Sequence, residues 1–442
     1  MRTSRAILIA AAGLAGALPS ITAAQPALTA HALERVAAVE PNVVAWRRDI
    51  HQHPELGNRE KRTAGLVADH LRALGLEVQT GVAHTGVVAL LRGGRPGPVV
   101  LLRADMDALP VTERVDVPFA SKVRTEYNGE EVGVMHACGH DTHVAILMGV
   151  AEVLAGIRDR IPGSVKFVFQ PAEEGAPQGE DGGAKLMVEQ GVLSNPAVDA
   201  AFALHIDSKQ PVGHIYYTAG PRYASSDDFR IVVKGRQTHG GKPWNGVDPI
   251  VAAAHVITAL QTLVSRQMNL AEQPSVVTIG RIRGGVRNNI IPEEVEMLGT
   301  VRALHADDRT RLHEGIRRTA TKVAESLGAS AEVEVPWTRG YPATVNDEAL
   351  AAQMVPVLES VAGAERVHRM RPTTTAEDFS FIAERVPGFY IGLGGRPADV
   401  KEEDAPDHHT PDFFIDDSGL GLGVRAMAAM ALEYLTSHGR SR

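Results

Sequence analysis

Short apolar runs and helical repeats alternate along this chain. Leu66, Val67, Leu71 and Leu74 fall on one face of a helix that Gly75 ends, and Asn58 stands where it would cap that helix. Runs at 87–91 and 99–102 read as strands joined by a turn at 93–98, and those at 165–169 and 200–204 as further buried strands. A helical pattern at 144–157 lies between them. A helix from Asp347, a strand at 389–392 and a helix at 420–436 follow near the end. Strands alternating with helices predict an α/β layer around a buried sheet.

The stretch 223–335 breaks that alternation. It reads as a strand at 229–234, a helix at 249–267, strands at 275–283 and 295–304, a helix at 307–326 and a strand at 331–335. That β-α-β-β-α-β order is the split ferredoxin-like unit. It begins and ends at neighbouring points, so it reads as a second domain inserted into a first one made of 25–222 and 336–442.

The N-terminus stands apart from both. Arg2 and Arg5 precede an apolar run at 6–18, and Thr22-Ala23-Ala24 offers small residues for cleavage. This is the order of a secretory signal peptide, here 1–24, and it predicts a periplasmic or secreted mature protein. The apolar run is short for a membrane span. Over the full chain, 44% hydrophobic residues supply enough apolar surface for two ordinary domains. Charged residues make up 22% without a long single-sign block, and the net charge is −8, which excludes a disordered chain or one built to grip nucleic acid.

An exported chain with a single cysteine has no internal disulfide framework, and Cys138 is the only one. Its neighbours suggest its use. In Met135-His136-Ala137-Cys138-Gly139-His140-Asp141-Thr142-His143, three histidines, a cysteine and an aspartate crowd around a glycine that lets the loop turn tightly. Thiolate and imidazole are preferred ligands of zinc and similar ions. Spacing leaves open which histidine binds. Gln170-Pro171-Ala172-Glu173-Glu174-Gly175 follows the strand at 165–169, where ligands of α/β sheets gather. Adjacent carboxylates there can divide the labour, one holding a metal and one moving a proton. Asp105-Met106-Asp107 and His205 also follow strands, and Asp407-His408-His409-Thr410-Pro411 adds a histidine pair in a turn. Gly392-Leu393-Gly394-Gly395 reads either as a turn or as close backbone approach to a ligand, with Gly394 as the contact. Nucleophile-elbow, His-Glu-x-x-His and Walker signatures are absent.

Together these stretches resemble the metal-dependent aminoacylase and carboxypeptidase family, in the branch of hippurate hydrolase, N-acyl-amino-acid amidohydrolases and auxin-conjugate hydrolases. The resemblance runs in order through Arg103 to Pro110, His136 to His143, Gln170 to Gly175, Thr238-His239-Gly240, Gly246 to Pro249, Asn289 to Pro292, Gly299 to Arg302, Thr375 to Phe379 and His409-Thr410-Pro411. It implies a mixed-sheet, metallo-exopeptidase-like catalytic domain with the inserted unit as a lid and dimerisation domain. It implies two divalent ions, zinc or manganese, held by Cys138, His140, Glu174, His205 and His409, with Glu173 as general base. His239 would polarise the scissile carbonyl, and Asn289 and Arg302 would bind substrate near its carboxylate. The expected substrate is an N-acyl or N-aroyl amino acid, such as a hippurate-like compound or an aryl amide of phenylalanine. The expected partner is a second copy of the chain, with neither nucleic acid nor membrane.

Two departures stand out. The wider family opens its site with His-x-Asp, whereas this chain has Asp105-Met106-Asp107, so both aspartates are assigned to orienting ligands. Many members carry Pro-His after the lid histidine, whereas Pro243-Trp244 stands here. Competing readings are a dipeptidase or carboxypeptidase of the same family, a binding protein that has lost the chemistry, and a hydrolase using Cys138 as nucleophile.

Overall fold

Four parallel strands form the centre of the larger sheet in this computed structural model, which describes residues 24–271, 274–338 and 340–439. In spatial order they are Pro162–Gln170, Arg95–Asp105, Ala200–Pro211 and Gly388–Arg396. Gly86–Arg92 and then Glu77–Val82 extend one edge antiparallel, and Ile215–Tyr217 and Val367–Arg369 extend the other. The central strands are buried on both faces, which is why they read as near-continuous apolar runs.

Helices Ala24–Gln52, His140–Ala155 and Leu420–His438 pack together over one face, with Val43, Val150 and Met430 in the shared core. A second cluster around Phe379, Met187 and Tyr390 covers the opposite face. The expected signal segment lies outside the described residues apart from Ala24, which begins the first helix.

The stretch expected as an insertion has its own core of Phe229, Val256, Leu260, Met297 and Ile316. Its antiparallel sheet runs Ser275–Gly284, Glu294–Ala303, Asp227–Lys234, Ser330–Glu334, with helices Pro249–Gln267 and Ala306–Ser326 packed on it. The chain enters past Ser226 and leaves past Tyr341, and these two residues pair as an antiparallel bridge. The entering and leaving strands thus touch next to the larger sheet.

One local expectation needs correction. Asn58 does not cap the following helix, which spans Lys61–Ala73. Its backbone is left-handed and its amide donates to Glu180 and to the Asp181 carbonyl. The Glu55 carboxylate caps instead, accepting from the N–H groups of Arg62 and Thr63, both at 2.9 Å.

Candidate metal centre

The carboxyl ends of the central strands converge on one cluster. Arg95–Asp105 ends at Asp105, Pro162–Gln170 leads into Glu173 and Glu174, and Ala200–Pro211 carries His205 within it. The loop before helix His140–Ala155 supplies Cys138 and His140. Gly139 is required there: its φ is +91°, and a Cβ would collide with the Ile206 side chain. His409 also holds a positive φ, +63°, uncommon for a residue with a side chain, and its N–H donates to the Ala137 carbonyl at 2.8 Å.

Cys138 belongs to two donor groups at once. Cys138, His140 and His205 form one, and Cys138, Glu174 and His409 the other; within each, the potential ligand atoms lie within 4.8 Å of one another. Cys138 Sγ is 3.4 Å from His205 Nε2, and His409 Nε2 is 2.9 Å from Glu174 Oε1.

Geometry also sorts the histidines. His143 is committed on both sides, its Nδ1 to Asp105 at 2.5 Å and its Nε2 accepting from the Ile206 N–H at 2.9 Å. His136 is buried with neither ring nitrogen bonded among the described residues, and burial pushes it down to about 3. His140 Nδ1 is held by Asp107, at 2.9 Å to the carbonyl and 3.2 Å to Oδ1, and its buried Nε2 has no hydrogen-bond partner among the described residues. An imidazole fixed on one nitrogen with the other open toward thiol and carboxylates is the arrangement of a metal ligand. His205 is likewise held through Nδ1, 2.5 Å from the Ile206 carbonyl. Burial and the neighbouring His143, His408 and His140 hold it well below the usual imidazole value, which favours its neutral form.

The anionic groups call for a cation. Burial and the carboxylates of Glu174 and Glu173 push the Cys138 thiol well up. Burial, then Glu377, Glu174 and Asp378, do the same to the Glu173 carboxyl. A thiol and several carboxyls crowded out of water are costly as free anions and become favourable as ligands. Softness points the same way, because thiolate with imidazole and carboxylate suits zinc-like ions. The donor set therefore fits the implied metal pair.

Glu173 and Glu174 are separated by surroundings. Glu174 faces His409, and its N–H donates to Asp107 Oδ2 at 3.0 Å. Glu173 is buried with its Oε2 4.0 Å from His140 Nε2, while Oε1 accepts weakly from the Asp378 N–H at 3.4 Å. Asp107 sits where it orients His140, whereas Asp105, expected to do the same, braces His143, whose ring nitrogens are both taken. Both oxygens of Asp105 are engaged, by His143 and Arg103.

Arg302 lines a cavity of about 770 Å³ together with Cys138, Glu173, Glu174 and His205. His239 and Asn289 do not line it. They lie together on the inserted unit, where Thr238–His239 pairs with Ile290–Ile291 and the Asn289 carbonyl accepts from the Gly240 N–H; both are exposed. Gly394 lies inside strand Gly388–Arg396, where a Cβ would collide with the Pro211 carbonyl, and its N–H donates to the His214 carbonyl at 2.9 Å. Its close backbone approach is to that neighbouring segment.

Arg103 and His408 stood in noted stretches without an assigned role, and Tyr341 carried no signal in the sequence. Arg103 is fully buried and binds Gln170, Asp105, Glu377 and Asp378. His408 Nδ1 is 3.6 Å from Cys138 Sγ, but its Nε2 accepts from the Ser208 N–H. The Tyr341 hydroxyl donates to the Glu173 carbonyl.

A mixed α/β sheet with paired donor groups and a buried glutamate at its strand ends defines a metallo-amidohydrolase. The chain belongs to the peptidase family M20/M25/M40, whose model matches residues 101–433. It is 40% identical over 400 residues to thermostable carboxypeptidase 2 of Saccharolobus solfataricus, covering 90% of this chain and 97% of that protein. It is 37% identical over 398 residues to N-acetylcysteine deacetylase of Bacillus subtilis, covering 89% and 97%. The crystal structure of the Bacillus subtilis YXEP protein, a dinuclear metal-binding peptidase of the same family, superposes with a TM-score of 0.75 at 34% identity, covering 90% of this chain and 99% of that one.

Proposed function

We propose that this enzyme hydrolyses the amide bond of N-acyl and N-aroyl amino acids with a free α-carboxylate, using two divalent ions. The observation that carries the reading is Cys138 shared between two donor groups, beside a buried Glu173, on one cavity. Cys138, His140 and His205 would hold one ion, and Cys138, Glu174 and His409 the other. Zinc suits the thiolate, and manganese is the alternative. Such a pair, when bound, supplies a water that ionises near neutral pH and a Lewis acid for the carbonyl oxygen.

Glu173 takes the proton of the attacking water and delivers it to the leaving nitrogen. Its carboxyl lies buried on the cavity wall within 4.0 Å of His140, a position that suits both transfers. Arg302 draws the substrate carboxylate into the cavity it shares with Glu173. His239 donates to the carbonyl oxygen. Because it is exposed on the inserted unit, it acts after that unit moves as a lid or from a second copy of the chain. Trp244, Ile250, Val251 and Ile282 are exposed on the same unit and support a homodimer built through it. Export through the basic, apolar and small segments of the N-terminus completes the reading.

The relatives' names support this substrate class: one acts on an N-acetyl amino acid, the other is a carboxypeptidase. The test is removal of metal by chelator dialysis, followed by add-back of zinc or manganese and a screen of N-acyl amino acids and dipeptides. Activity on N-acyl amino acids that returns only with metal is expected. Full activity after chelation would overturn the proposal and favour Cys138 as a nucleophile.

A further inference from the structure

Arg222 sits just before the chain crosses into the inserted unit, in strand Gly220–Tyr223. It is 4% exposed, yet it lines the same cavity as Cys138, Glu173 and His205. A guanidinium removed from water is stable only when its donors are met. Here they are poorly met. Nε is buried with no acceptor among the described residues. Nη1 points to the thioether of Met370 at 2.8 Å, a weak acceptor. Its guanidinium carbon lies over the Tyr223 ring, 4.7 Å from the centroid, a cation–π contact that eases the charge without pairing it. Asp207 feels the Arg222 charge but gives an oxygen to the Lys209 N–H at 2.8 Å.

The other cations near the cluster contrast with it. Arg103 is met by three carboxylates. Lys209, on the same cavity wall, donates to the Ala405 carbonyl and faces Asp407 at 3.6 Å. Arg222 is thus a buried guanidinium held by a cation–π contact and a thioether, at the cavity that Cys138, Glu173 and His205 also line. An anion entering that cavity would supply the acceptor that the protein withholds.

We infer that Arg222 is a receptor for the carboxylate of the amino acid whose amide bond is cleaved, acting from the catalytic layer while Arg302 approaches from the inserted unit. The inference rests on the proposed N-acyl amino acid hydrolysis and adds a recognition residue to it. Arg222 is a positioning residue: it places the scissile bond by its grip on the far end of the substrate. Removing it should erase the distinction between an acid and its amide, whereas a residue that merely supports the fold would leave that distinction intact.

The experiment compares N-benzoylglycine with N-benzoylglycinamide on the metal-loaded wild type, Arg222→Met and Arg222→Lys. Wild type should favour the acid in kcat/KM. Arg222→Met should lose about 10- to 100-fold on the acid and little on the amide, and Arg222→Lys should keep part of the preference. Thermal unfolding of Arg222→Met should match or exceed wild type, because the change removes a buried charge without stranding an acid. Both compounds are also titrated calorimetrically into Glu173→Gln with and without Arg222→Met, which reads recognition apart from turnover. A preference kept by Arg222→Met, in rate or in binding, overturns the inference and leaves the amidohydrolase reading standing. A wild type that cleaves no N-acyl amino acid overturns the reading instead. In that case equal binding of acid and amide by Glu173→Gln overturns the inference as well.

Discussion

The hydroxyl of Tyr341 donates to the main-chain carbonyl of Glu173 at 2.9 Å. Tyr341 is in the segment that returns from the inserted unit and pairs there with Ser226 at the crossing. The crossing is therefore tied to the backbone of Glu173, the proposed general base. Tyr341→Phe should keep fold and metal content and lower kcat about 3- to 10-fold, the size of one net hydrogen bond. Its effect on KM should be smaller, since the bond positions Glu173 and does not grip substrate. Steady-state kinetics with metal analysis checks this. An unchanged kcat would show that the bond does not position the base.

Adjacent glutamates make a sharper test. Glu174 faces His409 and Cys138, whereas Glu173 lies among Glu377 and Asp378. Glu173→Gln should lower kcat by at least about 10²- to 10⁴-fold with metal content near wild type. Glu174→Gln should lose metal. The reverse pattern, measured by elemental analysis of the purified variants, would swap the two roles.

How much of this was legible beforehand depended on whether the signal was local. The helix Pro249–Gln267 was readable because its apolar pattern is local, and the structure adds that Asp248 caps its start. Cys138 and His140 stood out because their cluster is dense within one loop. The choice among the histidines was not readable, since it turns on contacts such as His143 with Asp105, 38 residues away. Tyr341 reaches Glu173 across 168 residues, and Arg103 reaches Asp378 across 275. No periodicity reports such pairs. His239 matched a family motif, but a motif does not say that the residue stands exposed on the inserted unit.

A pH dependence follows from the charges behind the metal loop. His51 Nδ1 lies 2.8 Å from Asp141, which Arg47 also contacts at 3.0 Å, and His51 Nε2 is 3.2 Å from Glu113. Burial alone would lower this imidazole, but Asp141 and the hydrogen bonds outweigh burial and Arg47 and hold it above 6.5. A raised folded value means the protonated form stabilises the fold. That contribution is full below about pH 6.5 and fades as pH rises through the folded value. His51→Gln should therefore destabilise most in acid, and the difference in melting temperature from wild type should shrink toward alkaline pH. A difference that grows with pH would contradict the assigned charge.

The last prediction concerns Asp107, whose two oxygens serve two ligands. Oδ1 faces His140 Nδ1 at 3.2 Å, and Oδ2 accepts from the Glu174 N–H at 3.0 Å. In the proposed assignment His140 and Glu174 hold different ions, so one carboxylate would orient a ligand of each. Asn in its place keeps one oxygen. If that oxygen faces His140, its amide N–H opposes the Glu174 N–H, donor against donor. The flipped amide moves the conflict to His140. Either way one ligand loses its brace, and the helix start and strand end around it hold the rest. Asp107→Asn should thus weaken metal affinity about 10- to 100-fold, the usual cost of losing a group that orients a ligand. Excess metal should restore most activity, because Glu173 and the cavity are untouched. Competition against a chelator reads the affinity directly, and activity against added metal reads the rescue. A variant that holds metal as tightly as wild type would show that His140 and Glu174 are placed by their own backbones. A variant that excess metal cannot rescue would move Asp107 into the chemistry itself.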